Sequence, residues 1–210
     1  GGYAWINHPC LEDCIMEMKQ SCDHVIVIAH TGAEMIDIPL PEWRDRYQRL
    51  CECGASAVIG YHPHVPQGHE KYKGSFIFYS LGEFYFDTLV PDPRRTASFA
   101  VSLQFTQKDV TASIIPHEHD GETISLDESD ANTSRYQQLQ LALLEDEYWK
   151  HFDKISQKLY RDVYQRYYDL AIIGQGADAS WLEKFRLAIK RFLSPQKHEA
   201  KYKTRSEMML

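Results

Sequence analysis

Two short apolar runs, each preceded by a segment with helical spacing, constrain the fold of this chain more than any other feature. The runs are residues 25–28 and 55–59. Before the first, apolar residues recur over 11–21 at the spacing of a helix; before the second, a helix opens at Pro39 or Pro41 and ends before Gly54. Helix, strand, helix and strand joined by short connections are typical of a parallel α/β sheet.

Both apolar runs end in loops that carry histidine. His30 follows the first run, and His62 and His64 follow the second, with Pro63 restricting the backbone between them. Ligands of open α/β sheets collect beyond the carboxyl ends of the strands. If the two runs are neighbouring parallel strands, these imidazoles converge on one crevice and form a metal site. The alternative is a polar loop whose histidines have no common role, with His30 bonded to backbone at a strand end.

The later sequence changes character twice. Residues 76–80 form a continuous apolar strand, and 98–105 and 110–115 alternate as an antiparallel hairpin would. We expect a domain over 1–120, an acidic polar linker over 121–134, and a helical hairpin with a polar tail over 135–210. His117 and His119 repeat the His-x-His spacing, but they follow a hairpin strand, and a metal site there is the less favoured interpretation. His69 and Glu70 are expected on a helix or turn surface.

Composition excludes several classes of protein. The formal net charge of -7 does not suit a nucleic-acid-binding face, so no nucleic-acid partner is expected. No apolar run is long enough to span a bilayer. The five cysteines are odd in number and suit reduced thiols better than a disulfide framework or a structural zinc site.

Four further motifs are specific in order and spacing: HTGAE at residues 30–34, VIGYHPHVPQ at 58–67, EKYKG at 70–74 and YSLGEFYFD at 79–87. Together they resemble one known family, the CapA proteins of capsule and poly-γ-glutamate biosynthesis, which belong to the calcineurin-like metallophosphoesterase superfamily. The resemblance implies an α/β fold, namely half of a four-layered metallophosphoesterase-type sandwich followed by a C-terminal helical extension. It also implies that His30, His62 and His64 bind divalent Mn, Fe or Zn, with up to two ions in the complete protein.

The chain departs from the family in two ways. It lacks the Asp-x-His, Gly-Asp and Asn-containing motifs of the family's first half, which supply the bridging carboxylate and most other ligands. We therefore expect the C-terminal portion of a CapA-like protein, or a truncated relative, with hydrolase activity only if those motifs are supplied. In addition, Tyr61 replaces a histidine and Glu83 replaces an asparagine of the family pattern. His30, His62, Glu34 and Glu83 are the candidate catalytic residues, and Glu83 could act as an acid or orient a histidine.

Two functions follow from the resemblance as expectations. The first is a metal-dependent phosphoesterase in capsule, poly-γ-glutamate or polysaccharide synthesis, inactive as an isolated fragment. The second is a non-catalytic assembly subunit of a surface-polymer synthesis or export complex, with other components of that system as partners and homo-oligomerisation left open. Family members are often anchored outside the membrane, whereas free cysteines favour a cytosol-like compartment, so the sequence leaves the localisation open.

Overall fold

The computed structural model describes residues 4–86, 93–107 and 109–161. Within these ranges the chain is mixed α/β, with two sheets and five helices. In chain order the elements are α1 (Leu11–Ser21), β1 (Ile26–Ala29), α2 (Pro41–Glu52), β2 (Ala57–Gly60), β3 (His69–Tyr72), β4 (Ser75–Phe78), α3 (Pro93–Thr96), β5 (Ala97–Phe105), β6 (Val110–His119), β7 (Ile124–Leu126), α4 (Asp130–Leu141) and α5 (Glu145–Leu159).

The main sheet has the strand order β1-β2-β4-β3. β1 pairs parallel to β2, with Ala29 opposite Gly60, and β2 pairs parallel to β4. The parallel arrangement predicted for the two apolar runs is therefore confirmed. Central β2 and β4 carry the most deeply buried side chains, and α2 packs against both strands. The four-layered sandwich as a whole stays a prediction.

Helix α2 begins and ends where the sequence predicts, at Pro41 and before Gly54. Pro41 occupies the first turn, where its missing N–H costs nothing, and Tyr47 and Leu50 are buried on one face. The helix ends at the cap residue Cys53, and Gly54 then adopts a φ of 117°, a conformation that glycine accepts without strain. This end leads directly into β2.

Strand β3 corrects the expectation that His69 and Glu70 lie on a helix or turn surface. Both residues belong to a strand antiparallel to β4. Lys73 and Gly74 form the two-residue connection, with φ of 48° and 93°. Two successive positive φ values are typical of the type I′ turn that joins antiparallel strands. A Lys-Gly pair before an apolar run was the available sequence signal for this hairpin.

The second sheet is the predicted hairpin with one added strand. β5 and β6 pair antiparallel over their length, from Ala97 opposite Glu118 to Phe105 opposite Val110, which confirms the hairpin. The amide of Thr106 donates to the carbonyl of Asp109 over 2.9 Å and closes the turn. β7 pairs with β6 and lies within 121–134, the segment predicted as a linker.

Two compact units divide the chain at Asp153 and Lys154. In the first unit, Tyr148 of α5 is buried, and its hydroxyl donates to the carbonyl of Pro39 over 2.9 Å. The part of the predicted helical hairpin that follows residue 161 and the polar tail lie outside the described residues, so the domain boundaries stay a prediction. None of the helices in the described ranges is both long and apolar enough to cross a membrane.

Candidate metal centre

The three histidines lie at one edge of the main sheet because their strands are in register. Ala29 and Gly60, the last residues of β1 and β2, are paired, and His30 and the loop with His62 and His64 follow immediately. A Cβ at Gly60 would lie 2.2 Å from the carbonyl oxygen of Tyr79, so only glycine lets the strand end this close to its neighbour.

The two histidine loops also contact each other through the backbone. The amide of Met35 donates to the carbonyl of Pro63 over 2.9 Å. Gly32 adopts a φ of 132°, and a Cβ at this position would lie 2.9 Å from Cγ of Pro63. Pro63 is itself buried. These contacts fix the segment between His62 and His64 against the loop that begins at His30.

His30 and His62 are the closest pair of imidazoles. Nε2 of His30 lies 3.2 Å from Nδ1 of His62, with ring centroids 4.6 Å apart. Two nitrogens bound to one tetrahedral zinc ion at about 2.0–2.1 Å are about 3.3 Å apart. The pair therefore has the spacing of two ligands of one ion. It also has the spacing of a hydrogen bond between two neutral rings.

His64 is held differently, although its ring centroid is 5.6 Å from that of His62. Its Nδ1 lies 2.8 Å from Oε1 of Glu83, and its Nε2 lies 3.8 Å from Oε1 of Glu34. Glu83 is buried, whereas the Glu34 side chain is 66% exposed. The structure thus brings all five predicted site residues together, but it engages one nitrogen of His64 with a carboxylate.

The surroundings of His30 favour its neutral imidazole form. Partial desolvation, and then the nearby rings of His62 and His64, lower the pKa of His30 below 6.5. A neutral ring keeps a lone pair on one nitrogen, and this is the form that binds metals. At neutral pH, His30 is therefore available as a ligand.

The cluster does not form a complete ligand set. Among the described residues, no group of three or more His, Cys, Asp or Glu side chains is arranged to hold a metal ion. His30 and His62 have the spacing of two ligands of one ion, whereas Nε2 of His64 lies 3.8 Å from Oε1 of Glu34. The donor chemistry suits Mn, Fe or Zn, and the geometry fits the metal in part.

Arg95 is the residue that sequence reasoning missed. Its Nε donates to Oε2 of Glu83 over 2.9 Å, and its Nη2 donates to Oε1. The two residues are twelve positions apart in the sequence, and no periodicity relates them. Only the packing of α3 beside the segment after β4 could have shown this pair.

His117 and His119, the less favoured metal pair, lie side by side on β6 and are buried. The ring of His117 packs 5.0 Å from Phe84, and that of His119 packs 5.9 Å from Tyr85. None of their ring nitrogens has a hydrogen-bond partner, and in the described part of the chain they join no group of three potential ligands. The described structure therefore adds no support for a metal site at this pair.

Comparisons with known proteins agree with the motifs. Residues 2–88 match the family model "Bacterial capsule synthesis protein PGA_cap". The PGA biosynthesis protein CapA of Bacillus subtilis is 41% identical over 73 residues, which cover 35% of this chain and 19% of the relative. The capsule biosynthesis protein CapA of Bacillus anthracis is 41% identical over 69 residues, which cover 33% of this chain and 17% of that protein. The matched part thus spans less than a fifth of either relative. Residues 2–88, which include the three histidines of the candidate site, belong to the CapA family of capsule synthesis proteins.

Proposed function

We propose that this chain is the histidine-bearing part of a CapA-like, metal-dependent phosphoesterase domain that acts in the synthesis of capsule, poly-γ-glutamate or a related surface polymer. His30, His62 and His64 would hold a divalent Mn, Fe or Zn ion. The observation that carries the proposal is the 3.2 Å approach of two imidazole nitrogens at the carboxyl edge of two parallel strands. The family membership of residues 2–88 supplies the biological setting.

A bound divalent ion would act as a Lewis acid and lower the pKa of a bound water, which is the chemistry that phosphoester hydrolysis needs. The residues of this chain would bind and orient. His30 and His62 offer two closely spaced ring nitrogens at the strand edge, and the exposed Glu34 lies beside Nε2 of His64. Glu34 is therefore the carboxylate best placed to receive a proton near the crevice.

We further propose that the chain hydrolyses little by itself. The three imidazoles carry no negative charge, and both oxygens of Glu83 already accept hydrogen bonds from Arg95 and His64. A two-metal centre needs a carboxylate that bridges the ions, and the described residues place none between the histidines. The remaining ligands would come from residues outside this chain, and the small aligned share of the relatives is consistent with that.

Metal binding tests the proposal. Titration with Co²⁺, followed by its visible absorption, should show one site whose affinity falls about tenfold or more in His30→Ala and His62→Ala. His8→Ala, which removes an exposed histidine before α1, is the matched control and should bind as the wild type does. Equal affinity in all variants would refute the site.

Hydrolysis is tested separately with bis(p-nitrophenyl) phosphate and Mn²⁺. We expect little turnover by this chain and clear turnover by a chain that also carries the missing family motifs. If neither chain hydrolyses the ester while Co²⁺ still binds, the enzymatic function is wrong and the metal site stands.

An assembly subunit is the second candidate, favoured by an apolar surface on the α4–α5 region. Leu141, Leu144 and Trp149 are 57%, 57% and 47% exposed. Charged substitutions at Leu141 and Leu144 should abolish binding to a co-expressed component of the polymer system and leave Co²⁺ affinity unchanged. Retained binding in these variants would exclude this surface.

A further inference from the structure

Glu83 sits at a rigid junction between the two sheets. The amide of Leu81 donates to the carbonyl of Gly60 over 2.9 Å, and the amide of Phe99 donates to the carbonyl of Leu81 over 3.2 Å. Gly82 follows with a φ of 83°, and a Cβ there would lie 2.3 Å from Oγ of Ser98. The backbone that carries Glu83 is therefore tied to β2 and β5 at once.

The buried carboxylate of Glu83 is matched by a guanidinium. Arg95 approaches both of its oxygens through Nε and Nη2. The side chains are 5% and 17% exposed, so little water reaches the pair. A two-point arginine–carboxylate contact fixes the plane of the carboxylate as well as its charge. Loss of either partner would remove this two-point contact from the other, whose side chain is largely buried.

This fixed carboxylate determines the protonation of His64. Oε1 of Glu83 lies 2.8 Å from Nδ1 of His64, and a carboxylate oxygen can only accept a hydrogen bond. Nδ1 must therefore carry the hydrogen, and in the neutral ring the lone pair belongs to Nε2. The backbone of His64 has a φ of 60°, a costly conformation for a non-glycine residue, which shows that the surrounding contacts hold this residue in place.

We propose that Glu83 and Arg95 are positioning residues that hold His64 in its Nδ1–H tautomer and present Nε2 to the crevice. An amide at position 83 could either donate or accept, so it would not select a tautomer, and it would not offer Arg95 the negative charge of Glu83. Because both oxygens of Glu83 are engaged, this residue orients His64 and does not serve as the proton donor. That Nε2 then binds a divalent cation rests on the function proposed above.

The tautomer can be measured without any metal. In protein with ¹⁵N-labelled histidine, long-range ¹H–¹⁵N spectra at about pH 8, where histidine is mostly neutral, distinguish the two ring nitrogens of each histidine. Wild-type His64 should show a protonated Nδ1 and an unprotonated Nε2. Glu83→Gln should shift it to the other tautomer or to a mixture of the two. Arg95→Lys keeps the positive charge but loses the two-point contact, and it should give an intermediate result if Glu83→Gln fails to fold.

Glu34→Gln is the matched control, since it alters the carboxylate nearest to Nε2 and should leave the tautomer as in the wild type. Co²⁺ affinity should fall about tenfold or more in Glu83→Gln. A protonated Nε2 in wild-type His64, or an Nδ1–H tautomer that persists in both Glu83→Gln and Arg95→Lys, would overturn the inference. If the variants change the tautomer of His64 but neither the wild type nor any variant binds Co²⁺, the positioning role is supported and the proposed metal function is refuted.

Discussion

Glu70 of β3 links α2 to the main sheet, whose edge carries the candidate histidines. Replacing Glu70 therefore tests the packing that supports this edge. Its Oε2 accepts a hydrogen bond from Nη2 of Arg44 over 2.9 Å. Its Oε1 accepts from Nε2 of Gln48 over 2.7 Å and from the hydroxyl of Tyr79 over 2.6 Å. The Glu70 carboxylate thus accepts hydrogen bonds from two side chains of α2 and from Tyr79, which follows β4.

The expected cost of removing this carboxylate follows from its burial. The side chains of Arg44 and Glu70 are only 16% and 19% exposed, and Tyr79 is 2% exposed, so water cannot readily replace the lost contacts. Hydrogen bonds to charged groups each contribute about 1.5–3 kcal/mol, but three that share one carboxylate do not add fully. Arg44 also keeps its hydrogen bond to the carbonyl of Leu143. We expect Glu70→Ala to lower the free energy of unfolding by about 3 kcal/mol and Glu70→Gln by about 2 kcal/mol.

Urea unfolding followed by tryptophan fluorescence measures these losses. For a chain of this size, about 3 kcal/mol corresponds to a Tm lower by roughly 6–12 °C. Glu17→Ala, at an exposed carboxylate of α1, is the control and should stay within about 0.5 kcal/mol of the wild type. A Glu70→Ala protein as stable as this control would refute the reasoning.

The pH dependence gives a second, independent check. Burial alone would raise the pKa of Glu70, but the hydrogen bonds from Arg44, Tyr79 and Gln48 outweigh it, and the pKa lies below 4.5. A carboxyl whose pKa is lower in the folded state contributes stability above the unfolded pKa and loses it as pH falls through the folded pKa. The stability difference between wild type and Glu70→Gln should therefore be constant from about pH 8 to 5 and shrink below about pH 4. A difference that grows as the pH falls would contradict the assigned sign.

Two further predictions concern glycine and cysteine. Gly60→Ala should lower the free energy of unfolding, measured in urea, by more than about 2 kcal/mol because its Cβ would collide with the carbonyl of Tyr79. Gly74→Ala, where φ is 93° and the space around the Cβ is open, should lower it by only about 1 kcal/mol. Equal losses in the two variants would contradict this. Burial raises the pKa of Cys51 to about 12 and also raises that of Cys53, so in the native protein both should react with Ellman's reagent at pH 8 far more slowly than the exposed cysteines. A single reaction rate for all five thiols would refute this.

The strands that carry the histidines could be predicted because their signals are local. The runs that form β1 and β2 are short and apolar. β1 ends at Ala29 and β2 ends at Gly60, and a loop-forming segment follows each strand. Two parallel strands in register bring the residues that follow them to one edge. Proximity of His30 and His62 therefore followed from pattern alone, although the 3.2 Å between their nitrogens did not.

Strand β3 was missed because its side chains do not alternate between apolar and polar residues. Among the described strands it lies at the edge of the sheet and pairs with β4 alone. Its Glu70 is held by hydrogen bonds from two side chains of α2 and from Tyr79. A pattern that measures hydrophobicity cannot detect a strand held by hydrogen bonds to a helix that precedes it in the chain.

The role of Glu83 shows where inference from sequence stops for physical reasons. An acidic residue beside a crevice could donate a proton, bridge a metal or orient a neighbour, and composition and spacing do not distinguish these roles. What distinguishes them is the number of donors that reach its two oxygens. Arg95 engages both oxygens from a separate element, and His64 engages one of them. With both of its oxygens engaged, Glu83 would act in the proposed arrangement as a fixed acceptor, and Nε2 of His64 would be the nitrogen presented to the crevice.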